Sequence, residues 1–176
     1  MKIFIISDVH GSKHYLDIAI ERFNESGCDK LVCLGDFYYH GPRNPLTEQY
    51  SPMEVANIFN SLEDKLIAIK GNCDAEVDQM ISTFTFVENY FLSINNKKIY
   101  LHHGHKEIDN VNQYDVVCFG HIHQGLIKKD NNVIFVNPGS ISLPKAENSR
   151  GYIIIDDNSI KHYDLVTRDL LREYIF

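Results

Sequence analysis

The chain contains no tryptophan, and only five prolines and ten glycines are spread through its 176 residues. No Ser-, Pro- or Gly-rich tract and no internal repeat interrupts it, which excludes linker-bearing and low-complexity architectures. Its four cysteines, Cys28, Cys33, Cys73 and Cys118, form no CxxC pair. Nothing therefore suggests a zinc ribbon or a disulfide framework, and free thiols in the reducing cytoplasm are expected. Long hydrophobic runs are missing too. The first one, Ile3–Ile6, stops at Ser7-Asp8, too short for the core of a signal peptide. Others, such as Tyr152–Ile155, are strand-sized and far from the ~20 residues of a membrane helix. Basic residues are outnumbered 17 to 24, for a net charge of −7. The basic stripe that meets a long nucleic-acid backbone is absent, so no such partner and no membrane are expected. A small anionic substrate stays open, because bound metal ions can invert the local sign.

What is present fits one globular domain over residues 1–176, long enough to bury its own core. Lys2–Ser7, Leu31–Leu34 and Leu66–Ile69 are short apolar, β-branched runs that read as buried strands. Between them, Leu16, Ile18, Ala19, Ile20 and Phe23 recur at helical spacing up to Gly27. A second helix starts at Ser51-Pro52-Met53-Glu54, where a capping box is expected, and should run to about Glu63. Strand–helix–strand–helix–strand implies parallel pairing. Later, Asn95-Asn96, Asp130-Asn131-Asn132 and Asp157-Asn158 each separate two strand-like runs, as in hairpins. The fold class predicted is α/β, two-layered or sandwiched, parallel at first and antiparallel afterwards.

Strand after strand ends in a metal-ligand type beside a glycine: Asp8 and His10, Asp36, Asn72, His103, then His121 and His123. In α/β sheets, ligands gather where strands deliver their carboxyl ends. Asp8/His10 and His121/His123 are each two residues apart, so each pair projects to one side if its loop is extended. Alone, a histidine at a strand end is ordinarily a surface residue, and Asp36 or Asn72 ordinarily a turn residue. Five segments repeating the pattern in one short chain make coincidence a poor account of it.

Asp8-Val9-His10, Gly35-Asp36, Gly71-Asn72-Cys73-Asp74, His103-Gly104-His105 and Gly120-His121-Ile122-His123 resemble the ordered motifs of the calcineurin-like metallophosphoesterases. His40-Gly41-Pro42-Arg43-Asn44 and Asn137-Pro138-Gly139-Ser140 are similar to its small bacterial YfcE-like branch. The resemblance spans nearly the whole chain and implies a two-sheet β-sandwich flanked by helices. It implies one metal held by Asp8, His10, Asp36 and His123, and a second by Asn72, His103 and His121, with Asp36 shared. The chemistry implied is hydrolysis of small phosphodiesters by a hydroxide bridging two divalent ions. Such ions lie ~3.5–4 Å apart, and with two carboxylates and a hydroxide they leave roughly one positive charge, a match for a phosphodiester.

Histidine, carboxylate and amide ligands suit Mn²⁺, Fe²⁺, Co²⁺, Ni²⁺ or Zn²⁺ better than Ca²⁺, and the resemblance favours Mn²⁺. Many relatives place a proton-donating histidine directly after the asparagine; here that residue is Cys73. Cys73 and His105 are the candidate acids beside Asn72, and His105 is alternatively a residue orienting His103. Arg43 is the candidate phosphate-binding side chain. Two other readings compete with the diesterase: a phosphomonoesterase, needing an extra cation from Arg43 or a nearby lysine, and a non-catalytic binding scaffold. The resemblance also raises the prospect of a homo-oligomer.

Overall fold

The computed structural model describes all residues 1–176. In chain order its elements are β1 (Ile3–Ile6), α1 (Lys13–Ser26), β2 (Lys30–Cys33), α2 (Pro52–Asn60), β3 (Leu66–Ile69), β4 (Phe86–Val87), β5 (Asn89–Ile94), β6 (Lys97–His102), β7 (Val116–Cys118), β8 (Gly125–Asp130), β9 (Val133–Pro138), β10 (Gly151–Ile155), β11 (Ser159–Asp164) and β12 (Leu170–Ile175). They form a seven-stranded sheet ordered β12-β11-β10-β1-β2-β3-β4 and a five-stranded sheet ordered β5-β6-β7-β9-β8.

The apolar runs are strands because both of their faces are covered, which removes the need for alternation. Ile3, Ile5, Val32 and Leu34 face the five-stranded sheet and pack with Ile99, Leu101, Val116 and Val136. Phe4, Ile6, Leu31 and Cys33 face the helices and pack with Leu16, Phe23, Val55 and Phe59. Each fully buried side chain of this size contributes roughly 1.5–3 kcal/mol. In α1, Ser12 Oγ accepts the Tyr15 N–H at the start, and Gly27 closes the end at φ 65°.

Three expectations change. Ser51 is the first cap of α2, but its side chain makes no capping hydrogen bond, and the helix ends at Asn60. The Ser51 N–H instead donates to the Gly11 carbonyl at 2.8 Å, so long-range pairing sets that helix entry. The later half is mixed rather than antiparallel: β6–β7 and β7–β9 pair in parallel. The sandwich is flanked by helices as expected, α1 and α2 packing on the seven-stranded sheet. Across the outer face of the five-stranded sheet, Tyr100 and Tyr114 stack, Phe91 tilts against both, and Phe91 is 57% exposed. Finally, β4 and β12, weakly patterned edge strands, were not foreseen. The hairpin at Asn95-Asn96 does form, with φ of 47° and 62° as a primed turn requires. No helix is long and apolar enough to cross a membrane, and all four cysteines are free thiols.

Register decides where the site falls. Ile6 pairs with Cys33, and Cys33 with Ala68; in the other sheet Leu101 pairs with Cys118, and Cys118 with Val136. Two sets of parallel strands therefore end level with each other. The Ile141 N–H donates to the Ser7 carbonyl and the Asp8 N–H to the Gly35 carbonyl, joining the exits at one rim.

Candidate metal centre

All seven predicted ligand positions meet at that rim, in two groups. In the first, Asp8 Oδ1 lies 3.2 Å from His123 Nε2 and 3.9 Å from His10 Nε2, and Asp36 Oδ2 lies 3.6 Å from His10 Nε2. In the second, Asp36 Oδ1 lies 3.5 Å from His103 Nε2. There, Asn72 Oδ1 faces both His103 Nε2 at 3.0 Å and His121 Nδ1 at 2.7 Å. Asp36 thus offers one oxygen to each group.

The loops that achieve this are not extended. Asp8, His10, Asp36, His121 and His123 all have positive φ, between 48° and 66°. Such left-handed conformations cost of order 1 kcal/mol or more each and gather at functional sites. The expectation that each i, i+2 pair projects to one side therefore fails for His121 and His123. The curled backbone sends His121 to the Asn72 group and His123 to the Asp8 group. Glycine is required where these loops touch. A methyl on Gly35, at φ 110°, would press on the His103 ring and come within 2.7 Å of Gly71 Cα.

Hydrogen bonds fix the imidazoles. Nδ1 of His10 faces the Tyr39 carbonyl at 2.7 Å, that of His103 the Leu34 carbonyl at 2.6 Å, and that of His123 the Leu143 carbonyl at 2.6 Å. A carbonyl only accepts, so each Nδ1 carries the proton and each Nε2 turns a lone pair inward, the arrangement of a metal-binding histidine. His10 Nε2 and His123 Nε2 are then 3.3 Å apart. Two lone pairs at that distance repel unless a cation or a proton lies between them. Asp8 Oδ1 is buried without a hydrogen-bond partner beside them. This donor set fits divalent ions, and the Cys73 sulfur clusters with His10 and Asp36 beside it.

Where no cation is bound, protons take that role. Burial opposes the charged form of His103, but its hydrogen bond with Asp36 and the charges of Asp8 and Asp36 outweigh it and hold it up at about 9. His123 is raised likewise, burial being outweighed by Asp8. Asp36 falls well below the usual carboxylate range, since the His103 bond and charge overcome its burial. At His10, burial prevails over Asp8 and Asp36 and lowers the pKa. Burial lowers that of His121 too, helped by the charge of His103.

The remaining candidates divide. Arg43 and Cys73 line the same cavity as the metal residues, of about 440 Å³. The Cys73 thiol is pushed up to about 12, by burial first and then by Asp36. His105 is not in that cavity. It sits behind His103, with ring centres 5.3 Å apart, and lines a separate cavity of about 260 Å³ with Glu88 and Lys106. Burial, with the charge of His103, lowers its pKa.

Four contributors went unassigned in the sequence. Asp74 is buried and accepts the N–H groups of Asp36, Phe37 and Gly71 at 2.7–2.8 Å, tying the β2 and β3 exits together. Burial and the charge of Asp36 push its pKa to about 7. Ser140 and Ser142 donate to the Asp8 carbonyl at 2.7 and 3.0 Å, holding its left-handed turn. Lys145 lines the metal-side cavity. The signal for Asp74 and Ser140 lay in motifs already quoted; for Lys145 there was none.

A two-sheet sandwich whose level parallel strands deliver buried carboxylates and histidines to one rim is the arrangement of a metallophosphoesterase. The model of the calcineurin-like phosphoesterase superfamily domain matches residues 1–159, and the chain belongs to that superfamily. It is 38% identical over 163 residues to phosphodiesterase YfcE of Escherichia coli K12, spanning 90% of this chain and 89% of that protein. The solved structure of YfcE superposes with a TM-score of 0.92 at 34% identity, covering 99% and 98% of the two chains. The probable metallophosphoesterase YsnB of Bacillus subtilis is 28% identical over 93% of this chain and 91% of its own. Vps29 of Entamoeba histolytica, solved with Zn²⁺, shares the fold at 20% identity, with a TM-score of 0.64 over 99% of each chain.

Proposed function

We propose that residues 1–176 form one domain that hydrolyses small phosphodiesters with two divalent metal ions. The observation that carries this is Asp36, whose two oxygens face two separate ligand groups. Asp8, His10, Asp36 and His123 would hold one ion, and Asp36, Asn72, His103 and His121 the other. When bound, such a pair activates a water molecule and neutralises charge on the phosphate. The chain does the rest. Tyr39, Leu34 and Leu143 carbonyls hold three imidazoles in the productive tautomer, and Asp74 holds Asp36 in place. Arg43 lines the same cavity as the substrate-binding side chain, suited to an anionic group of the substrate.

Cys73 faces the cavity, whereas His105 stands behind His103. Neither is poised as a strong acid, since the thiol is raised to about 12 and His105 serves better as support for His103. Manganese in the cytoplasm is the reading supported by the family resemblance and the mixed ligand set. Homo-oligomerisation through the bare aromatic face around Phe91 is part of the same reading, and sedimentation velocity tests it.

The deciding assay compares bis(p-nitrophenyl) phosphate with p-nitrophenyl phosphate under Mn²⁺. Faster diester turnover, lost on chelation, is expected. Faster monoester turnover would favour the phosphomonoesterase, for which Arg43 and Lys145 supply the extra cations. No metal uptake at all would leave a binding scaffold.

A further inference from the structure

The metal-side cavity has an unusual wall. Its eleven lining residues are mostly polar: beyond the metal candidates, Cys73 and Pro42 it is built from Gly41, Arg43, Asn44 and Lys145. At about 440 Å³ it is the size of a site for a whole small ligand, much larger than one phosphate group.

Arg43 and Lys145 are both exposed and take part in none of the ion pairs of the chain, whose other arginines and lysines include several paired with Asp or Glu. Asp36 is the only carboxylate lining the cavity. Two free cations thus face one polar space on a chain of net charge −7.

Their positions are not incidental to the centre. The Tyr39 carbonyl that orients His10 lies four residues before Arg43, and the Asn44 amide donates to the His40 carbonyl at 2.8 Å, folding that loop inward. The Leu143 carbonyl that orients His123 lies two residues before Lys145, whose own N–H donates to the His123 carbonyl at 3.0 Å. The segments that aim two imidazoles also hold the two cations at the mouth.

We propose that Arg43 and Lys145 form a subsite for a second anionic group, selecting phosphodiesters that carry a further phosphate or carboxylate beside the scissile one. This rests on the phosphodiesterase reading and narrows its substrate class. The group held at the subsite does not react; it is gripped while the scissile P–O bond is hydrolysed at the metal side.

The test uses the Mn²⁺-loaded full chain and two chromogenic esters, thymidine 5′-(p-nitrophenyl phosphate) with and without a 3′-phosphate. A KM about tenfold lower for the 3′-phosphorylated ester is expected, shrinking in high salt as screening demands. In the double variant Arg43→Gln/Lys145→Gln the ratio of the two KM values should fall to about one, and Lys145→Arg should preserve it. Equal KM values in the unaltered protein, or a preference that survives the double variant, would overturn the subsite. If neither ester is turned over, the diesterase reading fails instead. Equilibrium dialysis of the same two esters then decides the subsite, equal binding overturning it.

Discussion

The two halves of the centre are built differently. Asp8, His10 and His123 are almost wholly buried, and the two histidines are locked by carbonyls of neighbouring loops. In the other half Asn72 is exposed and His121 half-buried, and these two lean chiefly on each other; only His103 is buried and locked. A buried, preorganised half should hold its ion tightly, while an open one exchanges both ligand and ion with solvent. Asp36 joins them.

The largest effect should come from breaking that link. Asp36→Ala removes a ligand from both halves, so turnover of bis(p-nitrophenyl) phosphate should fall by a factor of ~10³ or more, with bound metal below one ion per chain by elemental analysis. Retention of both ions would show that the halves are independent.

Next, the asymmetry itself can be tested by titration with a chelator. His123→Ala should weaken the more tightly held ion, and Asn72→Ala the more loosely held one, each by roughly 10–100-fold in affinity. Loss of the tight ion in Asn72→Ala would invert the assignment.

A third test concerns the metal-free protein. The folded pKa of His103 is raised to about 9 from an unfolded value of 6.5, so its contribution to stability is complete below pH 6.5 and disappears as pH rises through about 9. Counted once for the His103–Asp36 pair, that is about 3 kcal/mol. Asp74, raised to about 7 from 3.8, adds loss in the same direction across pH 4–7. The Tm of the metal-free chain should therefore fall between pH 6.5 and 9, and metal binding should strengthen over the same interval as protons leave His103. A flat Tm with pH would remove the proton's stand-in role.

The smallest effect is expected at the seam between the halves. Cys73→Ser should change kcat only severalfold, because a thiol held near 12 keeps its proton at neutral pH. A loss of several hundredfold would make Cys73 a reacting group.

Much of the centre was legible because parallel strands must end in loops on one side, and glycine beside a ligand type marks where those loops crowd. The seven candidate positions that meet at the rim, the buried β1, β2 and β3, and the three hairpins follow from such local patterns. Less legible were β4 and β12, edge strands whose neighbours rather than whose residues make them strands, and the parallel pairing of β6, β7 and β9. The capping box at Ser51 does not form: its N–H is taken by the carbonyl of Gly11, 40 residues away, which removes the donor that Glu54 would have accepted.

By itself the sequence determined which residue types arrive at the rim, and in what order, since strand periodicity and glycine placement are local properties. Their division into two groups was implied by the family resemblance, and the tertiary structure supplies the contacts that produce it. His121 and His123 part company, Asp36 faces both ways, and Lys145 joins Arg43, because left-handed turns and hydrogen bonds between distant loops aim those side chains. Such interactions are made between segments, and no short stretch of chain contains them.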